Sequence, residues 1–85
     1  MYYVYVLWSD KLKRRYIGSS ENVESRLNKQ NTGLSNYTSR GIPWILIHQE
    51  KFETKAEALQ REKFLKSGMG RGWLNQLYPE YRHKQ

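Results

Sequence analysis

The 85-residue sequence contains no cysteine. This absence excludes disulfide bonds, thiol catalysis and zinc or iron–sulfur sites that cysteines would hold. Histidine is almost as scarce, because the chain has only His48 and His83, which are too isolated to indicate a metal cluster. His48 alternates with Ile45 and Ile47 along a predicted strand, so we expect it to point away from both and to be structural or at the surface.

The sequence also lacks any apolar run that approaches membrane-spanning length. Its N-terminus has no basic segment followed by an apolar stretch, so it does not look like a signal peptide. We therefore expect a soluble, cytoplasmic protein with no membrane partner.

Positive charge, in contrast, is abundant. Lys and Arg number 15 against 8 Asp and Glu, which gives a net charge of +7 and an isoelectric point near 9.8. Such an excess in a small protein favours a polyanionic partner, and the alternative is a basic protein that has none. Nucleic acid is favoured over a membrane surface, because no predicted helix pairs a basic face with a strongly apolar one.

The pattern of the chain predicts a single domain of the α/β (α+β) class with elements in the order β-β-α-β-α-α. We expect residues 1–77 to form this domain and residues 78–85 to form a frayed, basic C-terminal tail. The predicted strands are residues 2–8, 14–19 and 44–49, of which the first two form an antiparallel hairpin.

Three helices complete the predicted domain. The first is expected to begin at the N-cap Ser20 and to end at Gly33. The second is expected to begin at the N-cap Thr54, with Glu57 completing a capping box, and to run to about Ser67. A short third helix is predicted over residues 71–77.

The second helix carries a carboxylate where an apolar residue is expected. Its predicted apolar stripe consists of Ala58, Leu59 and Leu65. Steps of four and seven residues from Ala58 reach Glu62 and Leu65, so Glu62 falls within the stripe. An unpaired carboxylate facing the core costs several kcal/mol, so Glu62 must meet a cation, a metal or hydrogen-bond donors. The open alternatives are an ion pair with Arg61, Lys66 or another element, a position at the edge of the stripe, and a metal ligand in a cleft.

The first helix and the hairpin carry further candidates. Arg26 flanks the apolar side of its helix, where it either snorkels from the core edge or aims a guanidinium at a phosphate. Tyr5 and Tyr16 lie on the two paired strands, but the turn register that decides whether they share a face is not predicted. Tyrosines on buried strands usually serve packing, whereas Gly18 lets another backbone or a ligand come close.

These residues form an ordered pattern. The stretch Tyr3-Val4-Tyr5 is followed after ten residues by Tyr16-Ile17-Gly18, then by Arg26 on a helix and by Glu62 a strand and a helix later. The pattern resembles the GIY-YIG nuclease family, and most of all its small single-domain bacterial members, which are similar to the catalytic domain of the excision-repair nuclease. The resemblance covers residues 2–74, although Tyr3-Val4 stands where the family name has Gly-Ile.

The resemblance implies a fold and a chemistry. The implied fold is a three-stranded antiparallel sheet flanked by helices. The implied activity is hydrolysis of DNA phosphodiesters with one divalent metal, Mg²⁺ or Mn²⁺, directed by DNA structure or damage in repair or recombination. Glu62 matches the metal-binding glutamate, and Arg26 matches the arginine at the scissile phosphate. Tyr5 and Tyr16 match the tyrosines that line the site, one of which positions or deprotonates the attacking water.

One departure from the family concerns the residue one helical turn after Arg26. Many relatives have a histidine there, whereas this chain has Gln30, which cannot accept a proton near neutral pH. Any general base would then be a tyrosine or hydroxide on the metal. This departure keeps two alternatives open, a catalytically weak nucleic-acid-binding module on the same fold and a basic RNA- or ribosome-associated protein.

Other residues are candidates for contact with DNA. The substrate-binding candidates are Gly18, Gln30, Tyr37, Lys66 and Arg71. Further basic residues that could track phosphates are Arg14, Arg15, Lys29, Arg40 and Arg82 with His83 and Lys84. Asn75 is the candidate counterpart of a C-terminal asparagine found in some relatives.

Overall fold

A three-stranded antiparallel sheet organises the chain. The computed structural model describes residues 1–32 and 39–82. Across these residues the strands are β1 (Tyr2–Ser9), β2 (Arg14–Ser20) and β3 (Trp44–Phe52), and the helices are α1 (Val23–Asn31), α2 (Lys55–Lys66) and α3 (Gly68–Leu77), followed by a 3₁₀ turn at Pro79–Tyr81. The predicted order β-β-α-β-α-α and the antiparallel sheet are both confirmed.

The central strand is β1, because the sheet has the order β2-β1-β3. Its residues from Val4 to Ser9 are all buried, as its aromatic and aliphatic sequence predicts. Val4 and Val6 pack with Ala58, Leu65 and Leu74 of α2 and α3 on one face of the sheet. The opposite face carries a second cluster, made of Tyr5, Leu7, Val23 and Trp44 with Tyr3, Leu12, Tyr16, Leu27 and Ile42 against it. Helices therefore cover the sheet on both faces, and both β2 and β3 are edge strands.

The start of α1 differs from the prediction. The N-cap is Asn22, whose side chain accepts a hydrogen bond from the backbone N–H of Ser25 (2.9 Å), and the predicted cap Ser20 is the last residue of β2. The Ser20 hydroxyl instead accepts from the N–H of Asn22, so it shapes the turn into the helix. Asparagine and serine are about equally good N-caps. Because β2 continues through Ser20, the helix begins two residues later and Asn22 is its cap.

The N-terminus of α2 is as predicted, whereas its apolar face is narrower. Thr54 is the N-cap and accepts from the N–H of Glu57 (3.2 Å). Ala58 and Leu65 are fully buried, but Leu59 is 46% exposed, so its place in the apolar stripe was wrong. The helix ends one residue before Ser67, which also caps α3 by accepting from the N–H of Gly70. The expected break at residues 68–70 is thus a corner between two consecutive helices.

The third strand is longer and less regular than predicted. It continues to Phe52, and its pairing with β1 shifts register between Val6 and Leu7. His48 therefore pairs with Val6, and Ile45 pairs with Trp8. Because Val6 and Trp8 lie on the same face of β1, His48 and Ile45 also lie on one face. The predicted alternation, in which His48 points away from Ile45 and Ile47, is wrong because the bulge interrupts the two-residue period.

The C-terminal segment is partly structured where a frayed tail was expected. The ring of Tyr81 packs against Trp8 with a centroid separation of 5.6 Å, and the Tyr78 hydroxyl contacts His48. The predictions for Gly33, Tyr37, His83 and Lys84 concern residues outside those that the structure describes.

Candidate active site

The two tyrosines of the pattern lie on the same face of the sheet. In the β1–β2 register Tyr5 pairs with Gly18 and Leu7 pairs with Tyr16. The rings of Tyr5 and Tyr16 are stacked, with centroids 6.5 Å apart and planes inclined by 28°. This answers the question of register that the sequence leaves open.

Gly18 provides the space for the Tyr5 side chain. A Cβ added at Gly18 would lie 2.6 Å from the Tyr5 hydroxyl oxygen and 2.8 Å from its Cζ. Real Cβ atoms do not approach other atoms so closely, so the phenol lies over a position that only glycine leaves open. The structure thus gives Gly18 a role in placing Tyr5, and direct contact with substrate stays a prediction.

The surroundings of Tyr5 keep its phenol neutral. The pKa of Tyr5 is raised to about 12, mainly by burial; the charges of Tyr16 and Glu62 also act to raise it, and that of Arg26 acts to lower it. Because Coulomb interactions decline with distance, these effects mean that Arg26 and Glu62 both lie near the phenol. A tyrosine with this pKa donates a hydrogen bond at neutral pH and is a poor general base.

Glu62 lies in a cleft of about 340 Å³ at the edge strand β2. The cleft is lined by Arg15, Tyr16, Ile17, Glu62, Leu65, Lys66 and Arg71. The Glu62 side chain is 17% exposed, and its Oε2 lies 2.7 Å from the ammonium of Lys66 one turn further along α2. Of the ion pairs that the sequence leaves open, the structure contains the one with Lys66.

Arg26 borders a neighbouring cleft. It lies on exposed surface of α1 and lines a cavity with Tyr2, Ser19, Ser20, Glu21, Asn22 and Lys55. Both clefts adjoin β2, since Tyr16 and Ile17 belong to one and Ser19 and Ser20 to the other. The structure therefore gathers the four predicted catalytic residues around one part of the sheet, but Arg26 and Glu62 do not line the same cleft.

Gln30 has an unusual environment. Val23 and Leu27 pack against the tyrosine-bearing face, and helical spacing places Gln30 on the same side of α1. Its side-chain oxygen is buried and has no hydrogen-bond partner among the described residues. A buried amide oxygen normally has a donor, so this atom is available to a water or a ligand that enters from the site.

The donor set at Glu62 fits a weakly enclosed hard cation. No group of three or more His, Cys, Asp or Glu residues able to hold a metal occurs within residues 1–32 and 39–82. Mg²⁺ does not need such a cage, because it keeps several waters and binds through one or two carboxylates plus substrate phosphate. A single half-buried carboxylate in an open cleft suits that mode of binding.

Arg15 is the residue of the site that the sequence undervalued. It is only 9% exposed, and its guanidinium donates to Asn75 Oδ1 (2.9 Å) and to the carbonyl oxygen of Tyr81 (3.4 Å). Burial is the main cause that lowers the pKa of Arg15, followed by the positive charges of Arg71 and Arg82. The alternation of β2 gave a signal, since it places residue 15 on the same face as the core residue Ile17.

A second polar network lies at β3, on the face of the sheet that α2 and α3 cover. His48 Nε2 donates to Glu50 Oε2 (2.7 Å), and its Nδ1 lies 2.8 Å from the Tyr78 hydroxyl. Glu50 also accepts two hydrogen bonds from Arg61, at 2.9 and 3.2 Å. The Arg61 guanidinium lies over the rings of Phe64 and Trp73, 4.8 and 4.9 Å from their centroids. Sequence reasoning had considered Arg61 only as a partner for Glu62.

Comparison with known proteins identifies the family. A family model described as the GIY-YIG catalytic domain matches residues 1–75. The chain belongs to the GIY-YIG family. The resemblance seen in the sequence is thereby confirmed, and membership implies a nuclease-type function with DNA as substrate.

The curated relatives are small GIY-YIG proteins of the UPF0213 group. A UPF0213 protein of Staphylococcus haemolyticus is 37% identical over 67 residues, which cover 78% of this chain and 80% of the relative. One from Natronomonas pharaonis is 40% identical over 67 residues, covering 78% of each chain. No solved structure matches this chain. In the part of this GIY-YIG protein that the structure describes, no helix is long and apolar enough to cross a membrane.

Proposed function

We propose that this GIY-YIG protein is a divalent-metal-dependent DNA endonuclease that cleaves branched or damaged DNA during repair or recombination. The observation that carries the proposal is Glu62, a carboxylate with 17% exposure in a cleft that otherwise contributes only cationic and neutral side chains. A protein that only binds DNA gains nothing from a negative charge at that position, since the carboxylate repels phosphate.

The metal and the phosphate would be held by different elements. Glu62 on α2 would hold Mg²⁺ or Mn²⁺, and the metal would supply polarisation of a phosphoryl oxygen and stabilisation of the leaving oxygen. Arg26 on α1 would contact the scissile phosphate, because a guanidinium fork matches phosphate geometry and offsets the charge that grows during cleavage. Because Arg26 and Glu62 line neighbouring clefts, the phosphate would lie between the two helices, across the edge of β2.

The tyrosines and Gln30 would position the attacking water. Tyr5 stays neutral, with its pKa raised to about 12 chiefly by burial, so it acts as a hydrogen-bond donor. Tyr16 lines the Glu62 cleft and would accept the proton of the attacking water if it were in its phenolate form, and hydroxide on the metal is the alternative acceptor. The side-chain oxygen of Gln30, which has no partner within residues 1–32 and 39–82, would accept a hydrogen bond from that water.

Lys66 and Arg71 would contact the DNA backbone. In the free protein Lys66 neutralises Glu62, so a metal competes with Lys66 for the carboxylate and a phosphate competes with Glu62 for the ammonium. Arg71 lines the same cleft from α3 and adds positive charge beside the metal position. Gly18 and Tyr37 complete the proposed substrate contacts.

The proposal is tested with purified protein on supercoiled, linear, flapped and four-way branched DNA, each with Mg²⁺, Mn²⁺ or EDTA. The expected result is metal-dependent cleavage that EDTA abolishes and that is faster on branched than on linear DNA. Cleavage of every substrate at the same rate would contradict the preference for branched or damaged DNA. Cleavage in EDTA would contradict the requirement for a divalent metal.

A second candidate is a binding module with little catalytic activity. The Lys66 ammonium, which is 2.7 Å from Glu62 Oε2, favours it because a cation already occupies one carboxylate oxygen, and Gln30 in place of histidine favours it as well. Tight DNA binding without cleavage under any of the metal conditions above would select this candidate.

A further inference from the structure

Three arginines from different parts of the chain come together beside the Glu62 cleft. Arg15 lies on β2, Arg71 on α3, and Arg82 directly after the 3₁₀ turn. The positive charges of Arg71 and Arg82 act on Arg15, and Arg15 and Arg71 both line the cleft. We call these three residues the arginine cluster. Like charges repel, so an anion bound between them would relieve this repulsion.

The buried member of the arginine cluster is held in a fixed position. Hydrogen bonds from Arg15 to Asn75 Oδ1 and to the Tyr81 carbonyl oxygen tie β2 to α3 and to the C-terminal turn. The Tyr81 ring in turn packs on Trp8 of the central strand. Arg15 is therefore preorganised, which lowers the entropy that an anion must offset when it binds.

The other two members are exposed on the surface. Within residues 1–32 and 39–82, neither Arg71 nor Arg82 has a carboxylate within ion-pair distance. Their charges are thus available to a ligand, and an arginine fork binds a phosphate through two parallel hydrogen bonds.

Two glycines flank Arg71 on α3 and leave open space at their own positions. Gly68 lies one turn before Arg71 and Gly72 directly follows it, and a Cβ at either glycine would meet no atom within 4 Å. Gly70 differs, because a Cβ there would collide with the backbone of Phe64 and Leu65 at the α2–α3 corner. Packing explains Gly70, whereas Gly72, in the interior of the helix, weakens the helix and no packing contact requires it.

We infer that the arginine cluster is a second phosphate subsite, which holds the DNA phosphate next to the one at Glu62 and lets the strand lie close against α3 at Gly68 and Gly72. This inference rests on the proposed function for the position of the first phosphate. The subsite itself needs no metal, so DNA binding and DNA cleavage are separable. It also gives Asn75 a role, since Asn75 positions Arg15 without touching the DNA.

The test measures binding of fluorescently labelled branched DNA in EDTA by anisotropy, at several salt concentrations. Arg71→Ala is the main variant, because Arg15→Ala removes a buried side chain and risks misfolding. Lys51→Ala is the matched control, since it removes one exposed charge from β3 at the opposite edge of the sheet. We expect Arg71→Ala to weaken binding about three- to tenfold and to lower the slope of log affinity against log salt by about one.

Gly72→Ala gives an independent result. The added methyl group fits without a clash and favours the helix, so the melting temperature should rise. DNA binding should nevertheless weaken, because the methyl group occupies the space beside Arg71 that the strand would use. Unchanged binding by Gly72→Ala would contradict the close approach of the strand to α3.

Two further outcomes separate this inference from the proposed function. Equal affinities and salt slopes for Arg71→Ala and Lys51→Ala would overturn the subsite, even if the wild type cleaves DNA with Mg²⁺. Tighter binding of an RNA of the same sequence would overturn DNA as its ligand. A wild type that does not cleave, together with the Arg71 effect in EDTA, would overturn the proposed function and leave the subsite supported.

Discussion

At the scale of single residues, the site is built around one phenol. Tyr5 is buried on the central strand, it occupies the space above Gly18, and its pKa is raised to about 12. The glycine in Tyr16-Ile17-Gly18 therefore has a physical role that differs from the close approach of a ligand: it holds a tyrosine of the other strand.

Gly18→Ala should displace the Tyr5 phenol and destabilise the fold. The new methyl group would lie 2.6 Å from the Tyr5 hydroxyl oxygen, and such overpacking costs about 1–3 kcal/mol. Urea denaturation should show that loss of unfolding free energy. Absorbance titration should show one tyrosine fewer that ionises near pH 12, because the displaced phenol would be hydrated and its pKa would return toward 10.0. Wild-type stability with an unchanged titration would contradict this role.

A second prediction for a single residue tests whether Gln30 occupies the position of a missing general base. Its buried oxygen has no described partner, and it stands where many relatives have histidine. Gln30→His should raise the rate of metal-dependent cleavage, because imidazole accepts a proton near neutral pH. The rate should also gain a dependence on a group with a pKa of about 6.5. A rate equal to that of the wild type would show that this position is not a missing base.

At the scale of elements, α2 points two adjacent side chains in different directions. Successive residues of a helix are separated by about 100°, so Arg61 and Glu62 cannot face the same neighbour. Arg61 turns toward Glu50 on β3, and Glu62 lines the cleft at β2. The ion pair with Glu50 therefore helps to set the rotation of α2 about its axis and with it the direction of Glu62.

Arg61→Ala should destabilise the protein in a pH-dependent manner. The change removes two hydrogen bonds to Glu50 and the contacts with two aromatic rings, which together should lower the unfolding free energy by about 1–3 kcal/mol at pH 7. Lys63→Ala, an exposed change on the same helix, should cost less than about 0.5 kcal/mol. Similar losses for both variants, measured by urea denaturation, would contradict the network.

The pH dependence follows from Glu50. Burial acts to raise the pKa of Glu50, but hydrogen bonds from His48 and Arg61 outweigh it, so the pKa is lowered from its ordinary value of 4.5. A group with a lowered folded-state pKa stabilises the fold above its unfolded pKa and loses that contribution as the pH falls through the folded-state value. The wild type should thus lose stability below about pH 4.5, and Arg61→Ala should lose less over the same range.

At the scale of the whole molecule, periodicity and capping predicted the order of elements and most of their limits. They failed where tertiary contacts decide: the bulge in β3, the exposure of Leu59 and the ordered turn at residues 79–81. The resemblance nominated Tyr5, Tyr16, Arg26 and Glu62. The sequence could not show that the two tyrosines share a face, because the register of the hairpin depends on its turn. It also could not show that Arg26 lines a separate cleft.

The gathering of charge is also a property of the whole molecule. Arg15, Arg71 and Arg82 are far apart in sequence, so composition gave only the excess of positive charge and no location for it. The fold places Arg15 and Arg71 in the cleft of Glu62, and Arg82 close enough to act on Arg15.

The most direct test of a metal-binding role for Glu62 is the single-turnover cleavage rate of Glu62→Gln with Mn²⁺, measured beside Glu53→Gln. The control removes the same charge from an exposed position just before α2. Glu62→Gln should reduce the rate by about 10²–10³-fold while DNA affinity in EDTA is kept or tightened, and Glu53→Gln should cleave like the wild type. Cleavage by Glu62→Gln at the wild-type rate would contradict the account.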